Sequence, residues 1–344
     1  MRVEARAPAR VDLAGGTVDI WPLYLFHPGA QTVNLAVRNY ASCVVETRAD
    51  RRIRLISRDQ NVSESYASLA DLDKGKSRLP LLRELVLFFQ PLRGITVKTS
   101  SQVPAGAGLG GSSALNIAIC GALARVTGKR CTRTQLLEIA KNVEAVVIKV
   151  PTGWQDYIPA LYGGANSVHL ECDGVRREKL PVSISDLEKR FVLCYTGMPR
   201  NSAINNWEVM KAHIDGDRKV RRNFEQITSI AIRMREALLA GDWNDVAELL
   251  AHEWDNRKRN FKGISTPLID RMISESRKHG APAAKVCGAG GGGCVVFLVE
   301  PGSKHAVESL LTRLGGEVIH FGVSRTGLEV RCNGLPRQKV ARKT

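Results

Sequence analysis

One segment constrains this chain more than any other: Pro104-Ala-Gly-Ala-Gly-Leu-Gly-Gly-Ser-Ser-Ala114. A β-prone run, Ile95 to Val103, precedes it, and an apolar stretch with Leu115, Ile117, Ile119 and Leu123 follows. The order strand, glycine turn, buried helix is therefore expected here. Glycine lets backbone come close to a ligand and adopt positive φ. The helix then aims its free N–H groups and positive dipole end at the loop, which suits phosphate. Two known phosphate loops fit poorly. Gly106, Gly108 and Gly111 satisfy G-x-G-x-x-G, but that pattern needs an acidic residue roughly 20 positions on, and residues 112–137 contain none. Gly106 to Gly111 also fit the start of a Walker loop, yet Ser112 stands where that loop has lysine. A hydroxyl at that place can ligate Mg2+ or bond a phosphate oxygen.

The rest of the chain has the makeup of a folded globular protein. It has 344 residues, 44% hydrophobic and 24% charged, enough for one large core or two ordinary ones. No run reaches the ~18 apolar residues of a membrane span. The N-terminal MRVEARAPARVDLAGG lacks a signal-peptide core, so a cytoplasmic location is expected. Eight cysteines form no C-x-x-C pair and read as reduced, mostly buried thiols. The seven histidines form no cluster in the sequence and read as structural or surface residues. The net charge of +16 attracts anions, but it is spread along the chain, and phosphorylated substrates are anions too. The densest stretch, Arg218 to Arg222, reads as a solvated helix face as readily as an RNA site. No nucleic-acid or membrane partner is expected.

Strand signals fall at 31–47, 95–103, 191–195 and 294–299, with a hairpin turn at Asp173-Gly174. A helix is expected from Thr132, with a Thr132/Gln135 capping box and the stripe Leu136, Ile139, Ala140, Val143, Val147. Further helices are expected at 202–214, 219–240, 242–257 and 266–279, the third starting at Asp242 or Asn244 and the last ending at Gly280. Strands dominate before residue 188 and helices after it. The expected division is 1–188, 189–333 and a frayed basic tail, 334–344.

Three segments, in order, resemble the motifs of the GHMP kinases, the superfamily of galactokinase, homoserine kinase, mevalonate kinase and phosphomevalonate kinase. They are Ala7-Pro-Ala-Arg-Val-Asp-Leu-Ala-Gly-Gly16 with Asp19, the glycine loop, and Lys285-Val-Cys-Gly-Ala-Gly-Gly-Gly-Gly-Cys294. Within the superfamily the chain is most similar to heptose 7-phosphate kinases and the kinase part of fucokinases. The stretches that carry this are Leu13 to Gly16, Gly153-Trp-Gln-Asp156, Tyr195-Thr-Gly197 with Arg200, and Ile264 to Asp270. The resemblance implies an α+β two-domain fold: a strand-rich N-terminal α/β domain like domain 2 of ribosomal protein S5, and a helix-rich C-terminal α/β domain, with ATP in the cleft between them.

The resemblance also implies roles. Asp156 matches the catalytic aspartate that takes or orients the proton of the attacking hydroxyl. Arg10 matches the cation of the first motif, which either pairs with Asp156 or faces the transferring phosphate. Pro104, Gly106, Ala107, Gly108, Leu109, Gly110, Gly111, Ser112 and Ser113 would hold the ATP phosphates. Ser112 and Glu144 would share Mg2+. Gly15, Gly16, Asp19, Gly290 and Gly291 would contact the acceptor. The implied activity is ATP-dependent phosphorylation of a sugar or sugar phosphate, with mevalonate-type acceptors and a catalytically dead homologue as alternatives.

Overall fold

A computed structural model describes residues 1–199, 202–260 and 262–333. The basic tail expected at 334–344 and Arg200 lie outside the described residues. The first sheet begins with β1 (Arg2–Ala14), β2 (Gln31–Thr47), β3 (Ile53–Ser57), β4 (Val62–Tyr66), β5 (Ile95–Ser101), β6 (Ala165–Glu171) and β7 (Gly174–Leu180). A second sheet contains β8 (Phe191–Tyr195), β9 (Ala283–Val286), β10 (Cys294–Leu298) and β11 (Glu317–Ile319), in the order β11-β8-β10-β9. The final strand, β12 (Glu329–Asn333), returns to the first sheet and pairs antiparallel with β1. The path through that sheet is β12-β1-β2-β5-β3-β4, with β6 and β7 branching from β2.

Strand β2 shows why it can serve two neighbours at once. Its first seven residues, Gln31 to Val37, are buried on both faces. Farther on, Ala41, Cys43 and Val45 are buried in alternation with more accessible neighbours, the period-2 pattern of a sheet with one covered face.

The helices of the first domain are α1 (Leu69–Lys74), α2 (Pro80–Phe89), α3 (Gly111–Thr127), α4 (Arg133–Ile148), α5 (Tyr157–Tyr162) and α6 (Ile184–Arg190). Helix α3 is buried almost all round, lying on β1 and β2 with α2 and α4 against it. The Thr132/Gln135 capping box is present at the start of α4. Glu144 is the last buried side chain of α4, beyond the apolar contacts of Leu136 and Ala140.

The second domain adds α7 (Ser202–Ile214), α8 (Arg218–Ala240), α9 (Trp243–Asn260), α10 (Pro267–Arg277) and α11 (Lys304–Arg313). Helix α8 buries Val220, Phe224, Ile227, Ala231, Met234 and Leu238, spaced by three and four residues as one face of a helix requires. Asp242 is the residue that starts α9, for its carboxylate accepts from the amides of Asn244 and Asp245. Leu13 and Leu35 share a core with Phe191, Met234, Leu249 and Val296. A continuous apolar layer therefore joins the two domains. Among the described residues, no helix is long and apolar enough to cross a membrane.

Three local expectations shift. The hairpin turns at Cys172-Asp173, because Glu171 already pairs with Gly174. Helix α10 ends at Arg277 with Lys278 as its cap, and Gly280 follows at φ 89°. The histidines are not all apart: His27 and His213, distant in sequence, meet in a buried contact with their Nε2 atoms 2.8 Å apart, against Phe224. Burial holds both imidazoles below the usual range, His213 at about 4, where the neighbouring His27 and Arg221 add to the effect.

Gly15 illustrates how tightly this fold is drawn. It has φ 81°, and a methyl group there would stand 2.0 Å from the carbonyl oxygen of Gln31. Gly15→Ala should lower stability by more than about 2 kcal/mol. Urea unfolding of the two proteins checks this, and an unchanged midpoint would contradict it.

Candidate active site

Strand alternation sets the first part of the site. On β1, Val11 and Leu13 face the shared core, while Arg10 and Asp12 point the other way and are also buried. Arg10 acts as a junction. Its Nε and one terminal nitrogen donate to Asp156 Oδ1 at 2.7 and 2.6 Å. The other terminal nitrogen donates to the carbonyl of Gly108, and the Arg10 backbone N–H donates to the carbonyl of Leu109 at 2.8 Å. One residue thus holds both Asp156 and the glycine loop. Burial alone would lower the guanidinium pKa, but the carboxylates of Asp156 and Asp12 outweigh it and raise the pKa.

The loop bends through positive φ at Gly106, Gly108 and Gly110. Gly110 is the N-cap of α3, and no side chain caps that helix. Its first amides are left for solvent or an anion. A Cβ on Gly110 would lie 3.3 Å from both Arg10 and Asp156, so glycine brings the loop against the carboxylate. Pro104 starts the turn by accepting from the Ala107 amide. Leu109 anchors the loop in the core, and Gly111 packs on Val103.

Glu144 reaches the start of α3. It accepts from Ser112 at 2.7 Å, from Ser113 at 3.0 Å and from the Tyr157 hydroxyl at 2.5 Å. Burial raises its pKa, the three hydroxyl bonds oppose that shift, and the charge of Asp156 adds to it. Ser112 and Glu144 are a pair of hard oxygen donors already in contact. That suits Mg2+, which usually takes one or two protein carboxylates and completes its shell with water and substrate phosphate. No cluster of three or more metal-binding side chains occurs among the described residues, so an all-protein cage is not the arrangement offered.

Asp156 precedes α5 at the N-cap position, yet makes no capping bond. Its side chain goes to Arg10 instead and stays partly exposed toward a cavity of about 110 Å³. Ser113 and Glu144 also line that cavity, as do Asp19, Gln155, Asn206, Gly288 and Ala289. Asp19 accepts from the Gln155 amide at 2.8 Å through Oδ2, while its buried Oδ1 has no donor. Burial pushes Asp19 up to about 6, and nearby Asp156 adds to the shift.

The expected residues do not all reach the cavity. Gly16 is set against Arg257, which donates to its carbonyl at 2.9 Å. Gly290 and Gly291 are held against Ile264, and the Gly291 amide donates to the Ile264 carbonyl. Gly288 and Ala289 line the cavity in their place. A Cβ on Gly293 would lie 2.8 Å from the carbonyl of Ala107, and the Cys294 amide donates to that oxygen at 2.7 Å. The third motif therefore buttresses the second.

Sequence reasoning missed a buried ionic chain behind these loops. Lys285 on β9 donates to Asp12 Oδ2 at 2.5 Å, and the Gly288 amide donates to Asp12 Oδ1 at 2.9 Å. Lys285 also lies 3.9 Å from Glu253, which pairs with Arg257 one turn along α9 at 2.6 Å. Burial would raise the Asp12 carboxyl, but Lys285, Arg10 and Arg257 overcome it and hold it well below the usual carboxylate range. Two signals in the sequence could have exposed the chain. Lys285 sits inside an apolar strand, and Glu253 and Arg257 flank the buried Trp254.

Residues 79–164 match the GHMP kinases N terminal domain, and residues 234–315 match GHMP kinases C terminal. A D-glycero-alpha-D-manno-heptose 7-phosphate kinase of Campylobacter jejuni is 29% identical over 337 residues, spanning 95% of this chain and 98% of that protein. A mevalonate kinase of Thermococcus sibiricus is 27% identical over 359 residues, spanning 96% and 98%. The crystal structure of a D-glycero-D-manno-heptose 1-phosphate kinase from Bacteroides thetaiotaomicron superposes with a TM-score of 0.77 at 26% identity, covering 96% of this chain and 99% of that one. The chain belongs to the GHMP kinase superfamily, whose members are ATP-dependent kinases of two-domain α+β fold that phosphorylate an alcohol. These enzymes use ATP with Mg2+.

Two predictions follow from the charges. The folded protein keeps the Asp19 proton to about pH 6, whereas an ordinary aspartate releases it near 3.8. Between those values the native state binds more protons than the unfolded chain, so this site makes stability fall as pH rises, by about 3 kcal/mol in all. Asp19→Asn should then gain stability over the parent above about pH 6 and lose that gain below about pH 4. Urea unfolding of both proteins across this range reads the difference, and a gap independent of pH would refute it. Lys285→Met should destabilise by about 3–5 kcal/mol, since it takes the ammonium from the buried Oδ2 of Asp12. Calorimetric melting tests that figure.

Proposed function

We propose that this protein is an ATP-dependent sugar kinase that phosphorylates the anomeric hydroxyl of a heptose 7-phosphate or a related sugar. One observation carries the reading: the Arg10–Asp156 pair opens onto the same cavity as Glu144 and Asp19. An acceptor hydroxyl held there has a carboxylate within reach and the glycine loop beside it. The proton passes to Asp156 as the acceptor oxygen bonds to the γ-phosphorus and the bond to the ADP oxygen breaks. Arg10 keeps the carboxylate oriented through its two bonds to Oδ1. Ser112 and Glu144 would hold Mg2+, which neutralises phosphate charge when bound.

The sugar reading draws on the acceptor side of the cavity. Asp19 Oδ1 and Gln155 Oε1 are both buried acceptors without donors. Hydroxyls supply donors, and a polyol supplies several. The likeness to heptose kinases in sequence and in structure supports the same class.

A coupled assay of ADP release, run with heptose 7-phosphate, unphosphorylated hexoses and heptoses, and mevalonate, tests the substrate class. Turnover of a sugar is expected, and turnover of mevalonate alone would refute the reading. Asp156→Asn should lower kcat about 10²–10⁴-fold while ATP still binds. A variant with the parent's kcat would remove Asp156 from proton transfer.

A further inference from the structure

Helices α8 and α9 pack side by side, and a groove of about 820 Å³ runs between them. Arg218, Lys219, Arg222 and Arg233 line it from α8, and Arg259 lines it from α9. All five are exposed. Arg233 is bonded to Asp245 at 2.9 Å. The side chains of the other four have no hydrogen-bond, ion-pair or ring partner among the described residues. Unpaired exposed arginines such as Arg51 and Arg93 occur elsewhere too, but here four unpaired cations line one groove. None of the residues lining the groove is acidic. Asn223 also lines it, is only 7% exposed, and its side-chain N–H₂ lacks an acceptor.

We propose that this groove binds the phosphodiester backbone of a nucleic-acid strand. The α8 cations extend from residue 218 to 233, about 22 Å at the helical rise of roughly 1.5 Å per residue. That is too long for one phosphate and suits several in succession. Amides and hydroxyls between the cations add donors of the kind that contact phosphate oxygens. The lining includes no Phe, Tyr or Trp and His252 is its one ring, so backbone charge carries the contact and recognition is independent of base sequence. A membrane surface fits less well, because the wall is concave and Ile230 is its one apolar residue among those described. A protein partner would want aromatic or Met anchors, which the groove does not offer. This activity is separate from the kinase site: the groove and that cavity share no lining residue among those described.

Fluorescence anisotropy of the full chain with fluorescein-labelled 20-nucleotide U and dT strands, from 50 to 200 mM KCl, tests the proposal. Four phosphate contacts predict a slope of log affinity against log salt of about −3. Arg218→Glu/Arg222→Glu/Arg259→Glu should weaken binding at least about tenfold and flatten the slope, with ATP binding and melting temperature unchanged. Arg51→Glu/Lys76→Glu/Arg93→Glu makes the same change in net charge in the first domain and should retain most of the affinity. Equal loss in both triple variants would mean diffuse attraction and overturn the site. So would binding of hexametaphosphate or anionic vesicles at the groove with neither oligonucleotide bound.

Discussion

The site depends on a single guanidinium. Among the described residues, Arg10 is the only side chain hydrogen-bonded to both Asp156 and the glycine loop, and it shares Asp12 with the third motif. A buried cation is costly unless every donor finds an acceptor. Arg10 meets that condition with two carboxylates and a carbonyl from separate parts of the chain. Those parts can then stand in only one relation to each other. Lysine in its place would have a single ammonium where Arg10 offers a fork, and could not span the same partners.

The glycines follow from this arrangement. Backbone of the second motif must lie against Arg10 and Asp156 at Gly110, and against the third motif at Gly293. A side chain at either place would open the contact. At Gly15 and Gly290 the constraint is packing against neighbouring backbone, with no cavity involved. Glycine content in such motifs thus has two physical origins. Some positions admit a ligand, and others allow two stretches of protein to touch.

This distinction also explains what could be read in advance. Long periodic segments were legible because their signals are local: the α4 capping box and the apolar stripe of α8 need no knowledge of the rest. Arg10, Glu144 and Asp156 were singled out through resemblance and line one cavity, with Ser112 bonded to Glu144 at its edge. Gly290 and Gly291 seemed equivalent to Gly288 in sequence, since a glycine run has no internal marker for which residue faces inward. The Asp12–Lys285–Glu253–Arg257 chain was hidden for another reason. Its members lie on different elements, so the local hints of burial at Lys285, Glu253 and Arg257 do not name their partners until the strands and α9 come together. The His27–His213 contact escaped in the same way, because 186 residues separate them.

The α9 helix connects the two charged regions of the molecule and shows how differently they are balanced. Its Glu253 and Arg257 turn inward and are fully compensated by Lys285, Asp12 and the carbonyl of Gly16. Two residues beyond Arg257, roughly 200° round the helix, Arg259 faces the open groove with cations opposite and no carboxylate to meet it. Inside the protein an imbalance of that kind would not survive desolvation. At the surface, water and counterions make it tolerable, and the repulsion among the cations persists at low salt. An anion with several charges relieves that repulsion at many points together and releases the counterions as it does so. The inner face of α9 is closed to further partners by its own pairing, whereas the outer face is left with charge to satisfy.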